Sequence, residues 1–176
     1  MSKQKNDYYP YWFIFKQKKK LLIWISGSQK DSFLIQNNHL FIADSLASAK
    51  LILPHNLKIQ WDKVGEEPTI MDFDIFWAQL NALDNEKNIT TEVCDIIIDG
   101  WNFIEDLLRT FSFSNDLEAL KTKELNKIYD KLFFGLNLEV INESNQVYEP
   151  LLTQAESVFL NVALVKCWDR VVVFME

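Results

Sequence analysis

Hydrophobic and polar residues alternate with a helical period over residues 92–111, in the middle of the chain. Apolar side chains recur every three or four positions, which is the spacing of one face of an α-helix. They are Ile97, Trp101, Ile104 and Leu108, and the stripe is widened by Val93, Ile96, Leu107 and Phe111. Polar residues repeat the same spacing on the other side, at Asp95, Asp99, Asn102 and Asp106. The pattern therefore predicts a helix that buries one side and presents a row of carboxylates on the other.

The first forty residues contain short apolar runs, rich in aromatic and β-branched residues, that are typical of strands. We expect strands at residues 11–15, 21–25, 32–36 and 39–42. The charged residues 16–20 are expected to form a hairpin loop or an exposed strand end. Asn37 and Asn38 tolerate left-handed backbone conformations, so they predict a tight turn. A further half-buried strand is expected at residues 57–61, where apolar and polar residues alternate.

Helical spacing predominates after Asp44. Expected helices cover residues 45–53, 73–83, 92–111, 117–136 and 154–169. Asp44 or Ser45 caps the first, Asp72 caps the second, and Thr153 with Glu156 forms a capping box for the last. That last helix is apolar nearly all round, which is typical of a centrally packed helix. Short strands are also expected at residues 138–141 and 171–174.

Strands first and helices afterwards indicate an α+β fold. We expect an N-terminal antiparallel β-meander packed with a C-terminal bundle of about four helices. A single domain over residues 1–176 is predicted, with a strand-rich part at 8–61 and a mainly helical part at 72–176, because no long linker separates them. The apolar fraction of 48% in 176 residues excludes a disordered chain.

Charge is distributed unevenly along this acidic chain, whose formal net charge is −7. Residues 1–30 hold seven lysines against one aspartate, a local excess of +6. Residues 62–106 hold twelve carboxylates against two lysines, a local excess of −10. An acidic segment of this kind repels nucleic acid and attracts a basic partner, although charge runs also occur as solvated faces.

Most catalytic and metal-binding chemistries lack a motif here. His39 and His55 have no ligand partners at metal-binding spacing. Residues 84–95 resemble a calcium-binding loop, but Ile89 stands at the position where such a loop requires glycine. Cys94 and Cys167 lie in segments of apolar helical pattern, so we expect both to be buried free thiols. Because two such cysteines do not indicate a disulfide framework, a reducing cytoplasm is the expected compartment. No secretory signal or membrane span is expected, because the apolar runs are interrupted by charges. We expect no metal, no cofactor and no nucleic-acid ligand, since the lysine-rich patch near the N-terminus is small.

The segment CDIIIDGWNFIEDLLRTF, after a strand-rich start, resembles bacterial toxin-immunity proteins, in particular those of contact-dependent growth inhibition and related polymorphic toxin systems. The residues that carry the resemblance are Ile98, Trp101, Asn102, Phe103, Asp106 and Leu107. With a looser likeness in the N-terminal strands, the resemblance covers about a fifth of the chain at the level of motif. The resemblance implies a small cytoplasmic protein, not an enzyme, that binds the toxic C-terminal domain of a cognate effector in a 1:1 complex and blocks it.

Many such toxins are nucleases with basic clefts, so the resemblance and the acidic segment together predict an acidic contact surface. The residues expected to contact toxin lysines and arginines are Glu66, Glu67, Asp72, Asp74, Asp95, Asp99, Asn102 and Asp106. Two other functions stay open. The carboxylates could serve a small hydrolase or nuclease as acid–base groups, or the chain could be an adaptor subunit of a host complex.

Overall fold

The computed structural model describes residues 6–27, 31–63, 70–83, 87–138 and 147–175. The chain forms two compact units. The first unit comprises Met1–Asp74, Asp106–Phe113 and Val171–Glu176, and the second comprises Ile75–Glu105 and Ser114–Arg170. An N-terminal sheet followed by helices confirms the predicted α+β class.

The first unit is built on a long hairpin of β1 (Asp7–Phe15) and β2 (Lys18–Ser26). Lys16 and Gln17 close it with positive φ angles of 51° and 60°, so these two residues form the turn and the three lysines that follow extend β2. Strand β3 (Ser32–Phe33) adds antiparallel to β2 and continues the predicted meander.

Among the described residues, the first unit contains three further strands. They are β4 (Ile35–Gln36), β5 (His39–Leu40) and β6 (Ile70–Asp72). Strands β4 and β5 form a separate two-stranded sheet. Their turn is the predicted one, with φ angles of 54° at Asn37 and 65° at Asn38. Strand β6 pairs parallel to β1, giving the order β3-β2-β1-β6. This parallel strand was not predicted, because three residues carry too little pattern to reveal it.

One face of the hairpin packs on helix α1 (Leu46–Ile52). The cluster consists of Leu21, Ile23, Phe41, Ala43, Ala49 and Leu53. Ser45 begins the helix through a capping box with Ser48, one of the two caps predicted. The strand expected at residues 57–61 is wrong. Ile59 makes only an isolated bridge to Tyr8, and a 3₁₀ turn follows at Trp61–Lys63, since alternation alone does not supply a pairing edge.

Five helices follow β6 in the described part of the chain. They are α2 (Phe73–Asn81), α3 (Thr91–Thr110), α4 (Ser114–Leu120), α5 (Lys123–Phe134) and α6 (Gln154–Val171). The single helix expected at 117–136 is wrong, because Thr122 adopts extended backbone and its hydroxyl accepts from Leu125 N at 3.3 Å. A polar cap at this position outweighs the continuous apolar pattern.

Three smaller expectations near these helices have different outcomes. The strand expected at 171–174 is wrong, because Val171 ends α6 and a 3₁₀ turn occupies Val172–Phe174. The strand expected at 138–141 lies almost wholly outside the described residues. The helical spacing of residues 73–83 predicts that Ile75, Phe76, Leu80 and Leu83 face the core. Ile75 is instead 47% exposed, whereas Phe76 and Leu80 are buried as predicted.

Candidate functional site: an acidic face on helix α3

The inner side of α3 holds the helix in a fixed rotation within the second unit. Ile97, Trp101 and Ile104 are all buried, as predicted. The indole Nε1–H of Trp101 donates to Glu105 at 3.0 Å, and its ring meets the edge of Tyr129 on α5 at 5.2 Å between centroids. The direction in which the polar side of α3 points is therefore set by packed aromatic contacts rather than by solvent.

Gly100 allows helix α2 to approach α3 closely. A Cβ atom built at Gly100 would lie 2.2 Å from a ring carbon of Phe76, which is well inside van der Waals contact. Phe76 is fully buried, so its ring has little room to move aside. A glycine in the middle of this long helix normally weakens it, and close packing against Phe76 is the physical reason for its presence.

The outer side of α3 presents Asp95, Asp99 and Asn102, which are exposed and spaced by one and two helical turns. The hydroxyl of Tyr129 donates to Asn102 Oδ1 at 3.1 Å. This bond connects the α3 residues to α5. We call the surface formed by Asp95, Asp99, Asn102, Glu105, Tyr129 and Asp130 the acidic face.

Like charges act on one another across the acidic face. The pKa of Asp99 is raised, first because nearby protein atoms remove water from the carboxylate and second because of the charge of Asp95. The pKa of Tyr129 is also raised, first by burial, against the hydrogen bond to Asn102, and further by Glu105, Asp130 and Asp99. Such a cluster favours the approach of an external cation, which would relieve the repulsion.

The other predicted contact residues of the described chain have internal roles in the first unit. The carboxylate of Asp74 accepts from the backbone N–H groups of Lys16 at 3.0 Å and Gln17 at 2.7 Å, which stabilises the hairpin turn. Asp72 accepts from the N–H of Asp74 at 3.0 Å, as an N-cap does. Asp106 pairs with Arg109 one turn along α3. Their proposed contacts with a partner stay predictions.

Of the eight predicted contact residues, three lie together on the acidic face: Asp95, Asp99 and Asn102. Glu66 and Glu67 lie outside the described residues. Three members of the face were not predicted, namely Glu105, Tyr129 and Asp130. Glu105 follows Asn102 by three positions and its helical spacing could have revealed it, whereas nothing in the sequence indicates that α5 lies beside this side of α3.

A second surface of the same unit has the opposite character. Helix α6 buries Leu160, Leu164 and Trp168, but its outer side exposes four large apolar residues. They are Val158 at 58%, Phe159 at 42%, Val162 at 60% and Val165 at 36%. The prediction that α6 packs centrally is therefore wrong. A row of exposed apolar side chains on one helix face is typical of a surface that meets another apolar surface.

Nucleophilic chemistry at the two cysteines is disfavoured by their surroundings. Cys94 and Cys167 are buried and unpaired with each other, and burial raises the pKa of each thiol to about 11. The reactive thiolate is therefore scarce near neutral pH. Across the described ranges, no cluster of three or more His, Cys, Asp or Glu side chains is arranged to hold a metal ion.

No helix in the described part of the chain is long and apolar enough to cross a bilayer. No protein-family model, curated protein or solved structure matches the chain.

Proposed function

We propose that this chain is an immunity protein of the cytoplasm, which binds the toxic C-terminal domain of a cognate contact-dependent growth inhibition or related polymorphic toxin in a 1:1 complex. The observation that carries the proposal is the acidic face, in which Asp95, Asp99 and Asn102 are exposed on one side of α3. The resemblance of the α3 segment to immunity proteins supports it independently. A toxin with a basic substrate cleft, as nucleases have, is the expected partner.

The electrostatics of the acidic face explain how such a complex would form. The uneven charge, with an excess of −10 over residues 62–106, attracts a basic domain at long range and raises its association rate. At contact, lysine and arginine side chains of the toxin would favour the ionised form of Asp99, whose pKa is raised first by burial and second by the charge of Asp95.

Growth rescue and co-purification test the proposal directly. The chain is co-expressed with the C-terminal domain of the large protein encoded just upstream of its gene. The expected result is protection of the cells and a 1:1 complex whose affinity falls as salt rises. A result with no protection of the cells and no complex would contradict the proposal.

A pair of double variants with equal charge change locates the interface. Asp95→Asn with Asp99→Asn neutralises two carboxylates of the acidic face. Glu118→Gln with Glu124→Gln neutralises two exposed carboxylates on α4 and α5 and serves as the control. We expect the first pair to slow association by about tenfold or more at low salt and to flatten its salt dependence, with little effect from the second. Equal effects of both pairs would remove the acidic face from the interface.

The rival functions predict different results in the same assays. A carboxylate-dependent hydrolase would show turnover that requires a divalent metal and is lost when one or two carboxylates become amides. An adaptor subunit would co-purify with a host protein and give no protection from the toxin. Each result is observable without knowing the toxin's activity in advance.

A further inference from the structure

A cavity of about 360 Å³ opens at the turn end of the β1–β2 hairpin in the first unit. Phe13 lies opposite Lys20 and Phe15 lies opposite Lys18 in the register of the two strands. Side chains of directly opposed residues project to the same face of a sheet, so this face carries two aromatic rings beside two ammonium groups. Phe13 is only 2% exposed and forms the apolar floor of the cavity.

The rest of the wall consists of His39 and Leu40 of β5, Ile42 just after it, and Phe174 and Met175. The Phe174 ring stacks on Phe111 with centroids 4.2 Å apart, and it lies 6.5 Å from the ring of His39. Packed rings therefore hold this wall in place without a ligand.

The rim of the cavity is cationic. Lys16, Lys18 and Lys20 line it above the apolar floor, and Lys16 Nζ lies 5.0 Å from the centroid of the Phe15 ring. Lys20 is ion-paired with Asp44, an exposed carboxylate beside the cavity. The pKa of Asp44 is lowered by its hydrogen bond to Lys20 and then by the charge of Lys20. Burial opposes this shift, and the charge of Lys18 adds a lesser lowering. Both lysines thus already act on a carboxylate at this rim.

We propose that the cavity binds a small organic carboxylate with an apolar body. The carboxylate would lie between Lys18 and Lys20, and the apolar body would contact Phe13, Leu40 and Phe174. The volume falls at the lower end of the range for ligand pockets, which are mostly apolar with a few polar groups that fix orientation. This inference is independent of the acidic face and of the immunity function.

The arrangement of charged residues at the rim and apolar residues at the floor favours this ligand class over other anions. A nucleotide or sugar phosphate would bring hydroxyl groups against Phe13, Leu40 and Ile42, where they would lose their hydrogen bonds with water. A carboxylate on an alkyl or aryl body places charge at the rim and carbon at the floor. The same chemistry could come from a free acid or from the C-terminus of a peptide whose last residue is apolar.

Asp44 supplies a sharp test, because its carboxylate already pairs with Lys20 and would compete with a ligand carboxylate for that ammonium group. Asp44→Asn removes the competing charge and leaves the lysine in place. We therefore expect this variant to bind the ligand more tightly than the wild type. A surface patch that attracts anions only weakly and without orientation would show no such dependence on one carboxylate.

Calorimetry and amide chemical-shift mapping on the full chain test the proposal with octanoate and 3-phenylpropionate. Octanamide and 3-phenylpropanamide serve as neutral controls of the same shape. We expect the acids to bind about tenfold or more tightly than the amides, with shifts at Phe15, Lys18 and His39. Lys18→Gln with Lys20→Gln should weaken binding by a similar factor, and Lys58→Gln should not change it. Circular dichroism confirms that each variant is folded.

A tetrapeptide ending in phenylalanine, with a free or an amidated C-terminus, distinguishes the two sources of the carboxylate. Tighter binding of the free-ended peptide than of the small acids would identify a peptide C-terminus as the ligand, and the reverse would identify a free acid. Equal binding of acids and amides, an absence of binding by both acids and peptide, or no gain from Asp44→Asn would overturn the proposal.

Discussion

Helices α3 and α6 are twenty and eighteen residues long, and they turn opposite kinds of surface to solvent. The outer side of α3 carries Asp95 and Asp99, whereas the outer side of α6 carries Val158 and Val162. Both helices bury aromatic and aliphatic residues on their inner sides. The comparison shows that burial of one side is compatible with either a charged or an apolar outer side.

The difference has a physical consequence for binding. Charged residues on α3 attract a partner over distance and are weakened by salt. The valines of α6 act only on contact, because removing apolar surface from water requires close approach. A partner that contacts the valines of α6 should dissociate more slowly, whereas a partner attracted by the carboxylates of α3 should associate faster.

The largest effect is expected on the inner side of α3. Gly100→Ala places a methyl group 2.2 Å from a Phe76 ring carbon, so we expect the free energy of unfolding to fall by about 1–3 kcal/mol despite alanine's better helix propensity. Urea denaturation measures the change. A second substitution, Phe76→Leu, should reduce the cost of the alanine. A variant as stable as the wild type would mean that α2 and α3 are not packed as described.

The N-terminus of α6 depends on a capping box. Thr153 Oγ1 accepts from Glu156 N at 3.2 Å, and Glu156 accepts from Thr153 N at 2.8 Å. Glu156 also pairs with Lys131 at 2.7 Å. We expect Thr153→Ala to cost about 1 kcal/mol of unfolding free energy.

The capping box of Thr153 and Glu156 also predicts that the stability of the folded state depends on pH. Burial tends to raise the pKa of Glu156, but the hydrogen bonds from Lys131 and Thr153 outweigh it and lower the pKa below 4.5. A lowered pKa in the folded state means that the stabilisation is present above pH 4.5 and is lost as the pH falls through the folded value. Thermal melts between pH 7 and pH 3 should show this loss in the wild type and a smaller one in Glu156→Gln. Identical pH profiles would contradict the assignment.

The outer side of α6 should tolerate charge without loss of stability. Val158→Lys with Val162→Lys changes residues that are 58% and 60% exposed, so the free energy of unfolding should change by no more than about 0.5 kcal/mol per site. Retention on a hydrophobic-interaction column should fall. Leu164→Lys, on the buried side of the same helix, is the control and should unfold the protein. A large loss of stability from the exposed pair would mean that the apolar face is covered within the molecule.

The smallest effect is expected at Asp99. Its pKa is raised above the ordinary value of 3.8, so the ionised form is disfavoured in the folded state and stability is lost as the pH rises through the folded value. Asp99→Asn should therefore raise the free energy of unfolding at pH 7, by no more than about 0.3 kcal/mol because water screens this exposed carboxylate. The gain should vanish at a pH below 3.8. A variant less stable at pH 7 would show that the carboxylate has a stabilising partner.

Local features of this fold were determined by the sequence itself. The turn at Asn37-Asn38, the cap at Ser45, the capping box at Thr153 and the inner stripe of α3 all depend on neighbours within a few residues. Backbone preference and side-chain spacing are sufficient to decide such features. Helical spacing also predicted one polar side with Asp95, Asp99, Asn102 and Asp106, and the first three of these lie on the acidic face.

Features that depend on distant residues were decided only by the tertiary structure. The parallel strand β6 exists because β1 offers it a pairing edge, and Asp74 is engaged by the hairpin turn about sixty residues away. Tyr129 joins the acidic face because α5 packs beside Trp101. On α6, an apolar pattern on all sides could not say which side would remain exposed. The period of the apolar residues indicates which side chains can be buried, whereas only packing in the folded chain decides which of them are covered.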